Sequence, residues 1–259
     1  MKETEMLMEK IQDADYVLIG IGEEFNETFE HIGEHADLMK ILDFIQTDEE
    51  RKWMVPYLEK AYLETQSSDK KIDALRKLFE QVKDKNYFVV TTCIDGNVYK
   101  AGFEPEKVVE PCGGYRFLQC EGKCTLKLQD ADGVFKELMT QLSQGNFDVK
   151  QPVCEACGKP LVFNNILCES YAEEGYLPQW EVYTKWLQKT LNRKLCVIEL
   201  GVGLNLPGVI RWPFEKIGFL NQKASFFRVH ETIPQLTDDL KDKGVSVKCN
   251  AVEFLLEEL

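Results

Sequence analysis

Positive charge is scarce in this 259-residue chain, which carries 31 Lys and Arg against 44 Asp and Glu for a net charge of −13. No basic stripe is present to release counterions from a phosphate backbone, so a nucleic-acid partner is not expected. Long apolar runs are missing as well: none approaches the roughly 20 residues that span a bilayer, and a membrane is not expected as a partner. Histidine is limited to 3 residues. His31 and His35 stand at i and i+4, but neither a third ligand nor a catalytic acid at zincin spacing follows them, so a solvated helix face is the simpler reading. The first residues lack a signal-peptide pattern, and the expected location is the reducing cytoplasm, where disulfides are disfavoured.

Cysteine, by contrast, is plentiful at 9 residues. Cys120, Cys124, Cys154 and Cys157 form two close pairs, C-x3-C and then C-x2-C followed by Gly158. Two such pairs brought together supply four soft thiolates, the ligand set of a closed structural zinc site. Four small core cysteines would be the bland alternative. With 44% hydrophobic residues, the chain can bury one large core beside a small module.

The flanking sequence reads as one α/β fold interrupted by that module. Glu3 to Asp13 has near-helical apolar spacing, and Tyr16-Val17-Leu18-Ile19 is a short buried strand closed by Gly20-Ile21-Gly22. A strand running into a G-x-G turn suits a phosphate, although Glu23 and Glu24 put negative charge there. From Asn26 to Lys85 the apolar spacing is helical, with Gln66 to Asp69 as an N-cap region for the last helix. Strands follow at Tyr87 to Gly96, a β run ending in an acid and a glycine, and at Leu195 to Leu200, Ala224 to Val229 and Gly244 to Val247. Helices are expected at about Gly133 to Leu142, Leu177 to Leu191, Ile233 to Leu240 and Ala251 to Leu259. The strand ends at Gly20/Gly22, Thr92/Asp95, Gly201/Gly203 and His230 therefore converge on one crevice, read as a nucleotide site. The expected architecture is a Rossmann-like parallel sheet with helices on both faces, a helical insertion at about 26–85 and a zinc module at 110–165. Residues 1–109 and 166–259 form the nucleotide-binding domain.

The order of these landmarks resembles the sirtuin family, NAD-dependent protein deacylases in which a Rossmann-like domain carries an inserted four-cysteine module. Gly20-Ile21-Gly22-Glu23-Glu24 stands where a sirtuin has Gly-Ala-Gly-Ile-Ser. Thr91-Thr92-Cys93-Ile94-Asp95-Gly96 is similar to Thr-Gln-Asn-Ile-Asp-Gly, with Ala101-Gly102 downstream. Val109-Glu110-Pro111-Cys112-Gly113 matches the segment bearing the catalytic His-Gly. Pro160-Leu161-Val162-Phe163-Asn164-Asn165 lies where the family clamps an acyl-lysine peptide. Gly201-Val202-Gly203-Leu204 looks like the Gly-Thr-Ser-Leu nucleotide loop, and Val229-His230-Glu231 sits at the ribose-holding Ile-Asn-x-Glu.

The resemblance implies NAD as cofactor, zinc as a structural metal and a protein carrying acyl-lysine or accepting ADP-ribose as partner. It places Gly20, Gly22, Glu23, Thr92, Cys93, Ile94, Asp95, Gly201, Val202, Gly203, His230 and Glu231 at the cofactor, Phe163, Asn164 and Asn165 at the substrate, and Asp95 and Cys112 at the reaction. Cys112 replaces the family's histidine base. A thiol with a pKa of about 8.5 is a poor base but a good nucleophile as thiolate, so ordinary deacetylation is expected to be weak. Three functions stay open: cleavage of the nicotinamide bond with deacylation or ADP-ribosyl transfer, NAD or ADP-ribose binding without catalysis, and a zinc-stabilised interaction scaffold. If the chain is an enzyme, Cys112 should be reachable from the crevice.

Overall fold

The computed structural model describes residues 3–30, 32–66 and 69–258. The expected cap at Ser67 and Ser68, and His31 of the histidine pair, lie outside the described residues. Helix α1 (Glu3–Asp13) leads into strand β1 (Tyr16–Ile21), followed by α2 (Ala36–Gln46), α3 (Val55–Gln66), α4 (Asp69–Val82) and β2 (Asn86–Thr91). Next come α5 (Asn97–Lys100), β3 (Val108–Val109), β4 (Gly113–Cys120), β5 (Gln129–Asp130), α6 (Asp132–Ser143) and β6 (Leu161–Asn165). The chain closes with α7 (Leu177–Gln188), β7 (Leu195–Leu200), α8 (Arg211–Leu220), β8 (Ala224–Val229), β9 (Gly244–Val247) and α9 (Ala251–Glu258).

Six strands form a parallel sheet in the order β3-β2-β1-β7-β8-β9. Their apolar runs are continuous because both faces are covered. Val17, Ile19 and Ile21 of β1 face the cluster of α1, α4 and α9, while Leu18 joins Tyr183 and Trp186 of α7 and Phe214 of α8 on the other side. The chain leaves β1 toward β2 and β3, then returns to β7 on β1's other edge. That reversal is a topological switch point, and open α/β sheets place their crevice there, beyond the strands' carboxyl ends.

The inserted segments make a second lobe. β4 pairs antiparallel with β5 and β6, and this small sheet shares one apolar cluster with α2, α3 and α6, including Ile41, Ile45, Leu58, Leu118, Phe135 and Phe163. The helical insertion thus buries its apolar face against the cysteine-bearing segment.

Two local expectations need correction. The run from Tyr87 to Gly96 is a strand only as far as Thr91. Ile233 to Leu240 is not a helix; only Asp238–Leu240 makes a single 3-10 turn. Carbonyls that a helix would consume are taken by side chains: Arg211 donates to Ile233 O at 2.7 Å, Ser246 to Pro234 O at 2.7 Å and Arg228 to Gln235 O at 2.7 Å. A helix outside those expected, Arg211–Leu220, tolerates Pro213 because a proline in the first turn removes no intrahelical donor. Its ring-bearing face packs on the sheet through Phe214, over a β1 position kept bare by Gly20, where a Cβ would lie 2.5 Å from Ile210 and 2.8 Å from the Phe214 ring.

Glu199 in β7 is fully buried and is held by the guanidinium of Arg228 through bonds of 2.7 and 2.9 Å, with Arg228 also meeting Glu215 at 2.8 Å. Removing one partner of such a pair strands the other in the core. Glu199→Ala is therefore expected to cost about 3–5 kcal/mol, read as a fall in the denaturant midpoint, while Glu215→Ala, on the pair's half-exposed edge, costs far less. Equal losses for the two would contradict this account.

Candidate functional site

The four expected metal ligands converge. Cys120 at the end of β4, Cys124 in the turn after it, and Cys154 and Cys157 before β6 bring their sulfurs within 4.8 Å of one another. Sulfur separations of 3.5 Å for Cys120–Cys157, Cys120–Cys124 and Cys124–Cys154 are close to the about 3.8 Å edge of a tetrahedron with Zn–S bonds of about 2.3 Å. Gly158, at φ +73°, lets the chain reverse so that its amide reaches Cys154 O at 2.8 Å. Four converged thiolates and no oxygen donor suit zinc in a structural role.

At the switch point the turn after β1 meets the turn after β7. A Cβ on Gly22 would lie 2.4 Å from Val202 Cα, so the two turns touch along their backbones. Gly201 adopts φ +59°, a left-handed conformation open to glycine at little cost. Into this meeting point project both acidic side chains. Glu23 accepts the Asn205 amide at 3.1 Å, and its Oε2 lies 2.1 Å from where a Cβ on Gly203 would stand. Glu24 accepts the amides of Glu231 at 2.8 Å and Ala251 at 2.7 Å, and its own Cβ lies 2.6 Å from the missing Cβ of Gly201. His230 Nδ1 stands 3.2 Å from Glu24 Oε1, but the same nitrogen accepts the amides of Thr232 and Ile233 at 3.1 and 3.2 Å. Burial lowers the His230 pKa, so this contact is not an ion pair.

The remaining expected residues divide. Thr92 hydrogen-bonds back onto Ile21 O at 3.0 Å through its amide, and Cys93 donates to Gly22 O at 3.3 Å. Burial pushes the Cys93 thiol well above its usual pKa. Val202 is buried, with its carbonyl held by Arg211 at 2.8 Å. Gly20 lies under α8, as described above, rather than in the crevice. Glu231 is exposed and contributes its backbone amide alone among these bonds.

Cys112 departs most from expectation. Only 1% of it is exposed, and burial with the Glu110 carboxylate nearby pushes its thiol up to about 12. A buried protonated thiol is neither nucleophile nor base at neutral pH; accessibility from the crevice is overturned.

Two cavities flank this segment. One, of about 370 Å³, is lined by Ile94, Asp95, Glu110, Arg116, Lys60 and Lys100 among others. Asp95 accepts the amides of Asn97 at 2.9 Å and Glu27 at 3.2 Å. Its pKa is nonetheless raised to about 6, burial outweighing those bonds. Burial likewise raises Glu110 to about 7 against the opposing bond from Tyr99 OH at 2.6 Å. Glu110 was missed as a site residue although it lies two positions before Cys112; a lone acid at a strand end carries no sequence signal of burial. The second cavity, about 490 Å³, lies between α3 and β6 and is lined by Phe163, Asn165, Leu167, Tyr115, Glu59, Glu121 and Glu169 among others. Phe163 packs edge-on against Tyr115 with centroids 5.1 Å apart. Asn165 Oδ1 caps the Leu167 amide at 3.1 Å. Asn164 points away from this cleft, bonding Gln119 at 2.6 Å and Ala172 O at 2.9 Å.

A parallel nucleotide-type sheet with a four-cysteine module and a helical lobe inserted between its strands defines the class. More narrowly, the fold is that of the sirtuins. The structure reported as "The Structural basis of Sirtuin Substrate Affinity" superposes with a TM-score of 0.61 at 16% identity, covering 100% of this chain and 98% of the other. A Sir2 homologue in complex with NAD superposes at 0.59 with 15% identity, covering 98% and 91%. In sequence, a Staphylococcus aureus protein named protein ADP-ribosyltransferase is 22% identical, covering 94% of this chain and 83% of that protein. A Fusarium oxysporum protein named probable bifunctional ADP-ribose hydrolase/ADP-ribosyltransferase is 29% identical over 50% of this chain and 23% of its own length. No protein-family model matches the chain.

NAD, the cofactor this fold implies, can be tested against the crevice. Its diphosphate would lie against the glycine turns, yet Glu23 and Glu24 fill the space above Gly203 and Gly201, and their carboxylates take the nearby amides of Asn205, after the β7 turn, Glu231, after β8, and Ala251, at the start of α9. As it stands, the crevice does not fit a dinucleotide.

Two outcomes follow. Structural zinc supplies roughly 10–16 kcal/mol in isolated finger peptides, so Cys154→Ala should release the metal and unfold the second lobe. One zinc per chain by metal analysis supports this; well under one in the wild type contradicts it. The raised carboxyl pKa values predict a slope in stability. A folded pKa above the unfolded one means that the native state binds more protons, so stability is fully present below about pH 4 and falls as pH rises toward about 7. Glu110→Gln should flatten that fall in thermal melts between pH 5 and 8; an unchanged profile would count against it.

Proposed function

We propose that this chain is a sirtuin-fold protein that binds a lysine-bearing polypeptide segment without cleaving NAD. The occupied crevice carries the reading: Glu23 and Glu24 fill the ground a diphosphate would need. Of the two positions placed at the reaction, Cys112 is a buried, protonated thiol, and Cys93, at the cofactor position, is buried and its thiol is likewise pushed up. What the fold keeps is the cleft between α3 and β6. Its floor is apolar, with Phe163, Val162 and Leu167, and its walls carry Glu59, Glu121 and Glu169. Several structures of the same fold hold a peptide or propionylated peptide. Apolar floor and acidic walls suit a side chain with a long methylene stem and a cationic neighbourhood, which is lysine in a basic segment.

ADP-ribosyl transfer is the second reading, favoured by the names of both curated relatives. Nicotinamide formation separates the two. Wild-type protein incubated with NAD and a lysine-rich peptide, free or acylated, is expected to release no nicotinamide above the buffer rate by mass spectrometry. The same peptide should bind, measured by fluorescence anisotropy at low salt. Glu121→Lys/Glu169→Lys should weaken it about tenfold, two rim contacts reversed in sign. Sustained nicotinamide release transfers the assignment to the second reading, and peptide affinity indifferent to both charge reversals rejects the cleft.

A further inference from the structure

We infer that Glu23 and Glu24 are built-in occupants of the diphosphate cradle, excluding NAD and ADP-ribose at rest from a crevice whose backbone still suits them. This rests on the same occupied crevice that carries the proposed function, and adds that the two carboxylates can be removed with the backbone cradle left in place. Three amides from three segments converge on the two carboxylates: Asn205 after the β7 turn, Glu231 after β8 and Ala251 at the start of α9. Convergent amides at glycine turns and a helix start are what anions bind. Here the anionic oxygens come from the chain itself.

The glycines now serve the carboxylates. A Cβ at Gly203 would stand 2.1 Å from Glu23 Oε2, and one at Gly201 would stand 2.6 Å from Glu24 Cβ. The nearby cations do not intervene: Arg211 is spent on Val202 O and Ile233 O, and the His230 ring accepts two amides. An incoming diphosphate would therefore meet two like charges and no free donor among these three amides. Glu23 and Glu24 reach these three amides by side chain, so shortening them leaves the amides in place, along with the backbone bond from the Glu24 amide to Gly201 O at 3.2 Å that joins the two turns.

The full-length wild type and Glu23→Ala/Glu24→Ser are compared by calorimetry with ADP-ribose as the probe. No heat is expected from the wild type at millimolar ligand, and at least about tenfold tighter binding from the double variant, equivalent to about 1.4 kcal/mol. Wild-type affinity equal to that of the variant overturns the inference, and so does a folded variant with no gain. Glu24 caps α9, so circular dichroism checks folding. Should the double variant unfold, Glu23→Ala keeps every Glu24 contact and carries the test by hydrogen exchange. The Asn205 amide should exchange faster in it and slow again with ADP-ribose; an amide unmoved by either overturns the inference. A wild type that binds ADP-ribose but releases no nicotinamide from NAD sinks the plug and, with it, the crevice argument of the proposed function, leaving peptide binding to stand on the cleft alone. Loss of peptide binding with the nucleotide gain intact sinks only the proposed function.

Discussion

Everything at the junction of this molecule depends on a backbone contact: the turn after β1 lies against the turn after β7 so closely that Gly22 has no room for a Cβ beside Val202. That contact is possible because β1 and β7 are parallel neighbours in register, Tyr16 with Leu195 through Ile21 with Leu200. Strands that end level deliver their turns to the same height. A side chain at Gly22 would push the turns apart and dissolve the crevice before any question of ligand arises. The buried Glu199–Arg228 pair sits one strand over, fixing β7 to β8 and tying the irregular segment after His230 to the sheet through Gln235.

Electrostatics then decides what the junction can do. At the junction the amides of Asn205, Glu231 and Ala251 are answered by the chain's own carboxylates, Glu23 and Glu24. The thiols at Cys93 and Cys112 belong to the same economy of charge: burial holds both neutral, and the acids Asp95 and Glu110 are pushed toward neutrality beside them. Burial thus silences the two thiols, whereas carboxyls raised to about 6 and about 7 lie in the range where a general base works at neutral pH.

The second lobe follows a different logic. Its small sheet is too slight to bury a core alone, so α2, α3 and α6 close over it and the cysteine cluster pins its edge. The cleft with Phe163 and Asn165 exists because α3, from one insertion, lies opposite β6, from another.

Read from residues alone, much of this was within reach. Unbroken apolar runs at Val17 to Ile19 and Leu195 to Leu200 announce strands covered on both faces, and the paired cysteine spacings announce a metal module, because both signals are local and chemically demanding. The run from Ile233 was misread as a helix, since the carbonyls of Ile233 to Gln235 are claimed by arginines and a serine from elsewhere. The order Gly-Ile-Gly-Glu-Glu determined that negative charge lies near the first turn. Whether those carboxylates face solvent or the crevice, whether Cys112 is reachable and whether Asn164 faces the cleft were decided only by the tertiary structure, because each depends on which distant amide, carbonyl or apolar wall the fold brings within a few ångströms of a side chain that could turn either way.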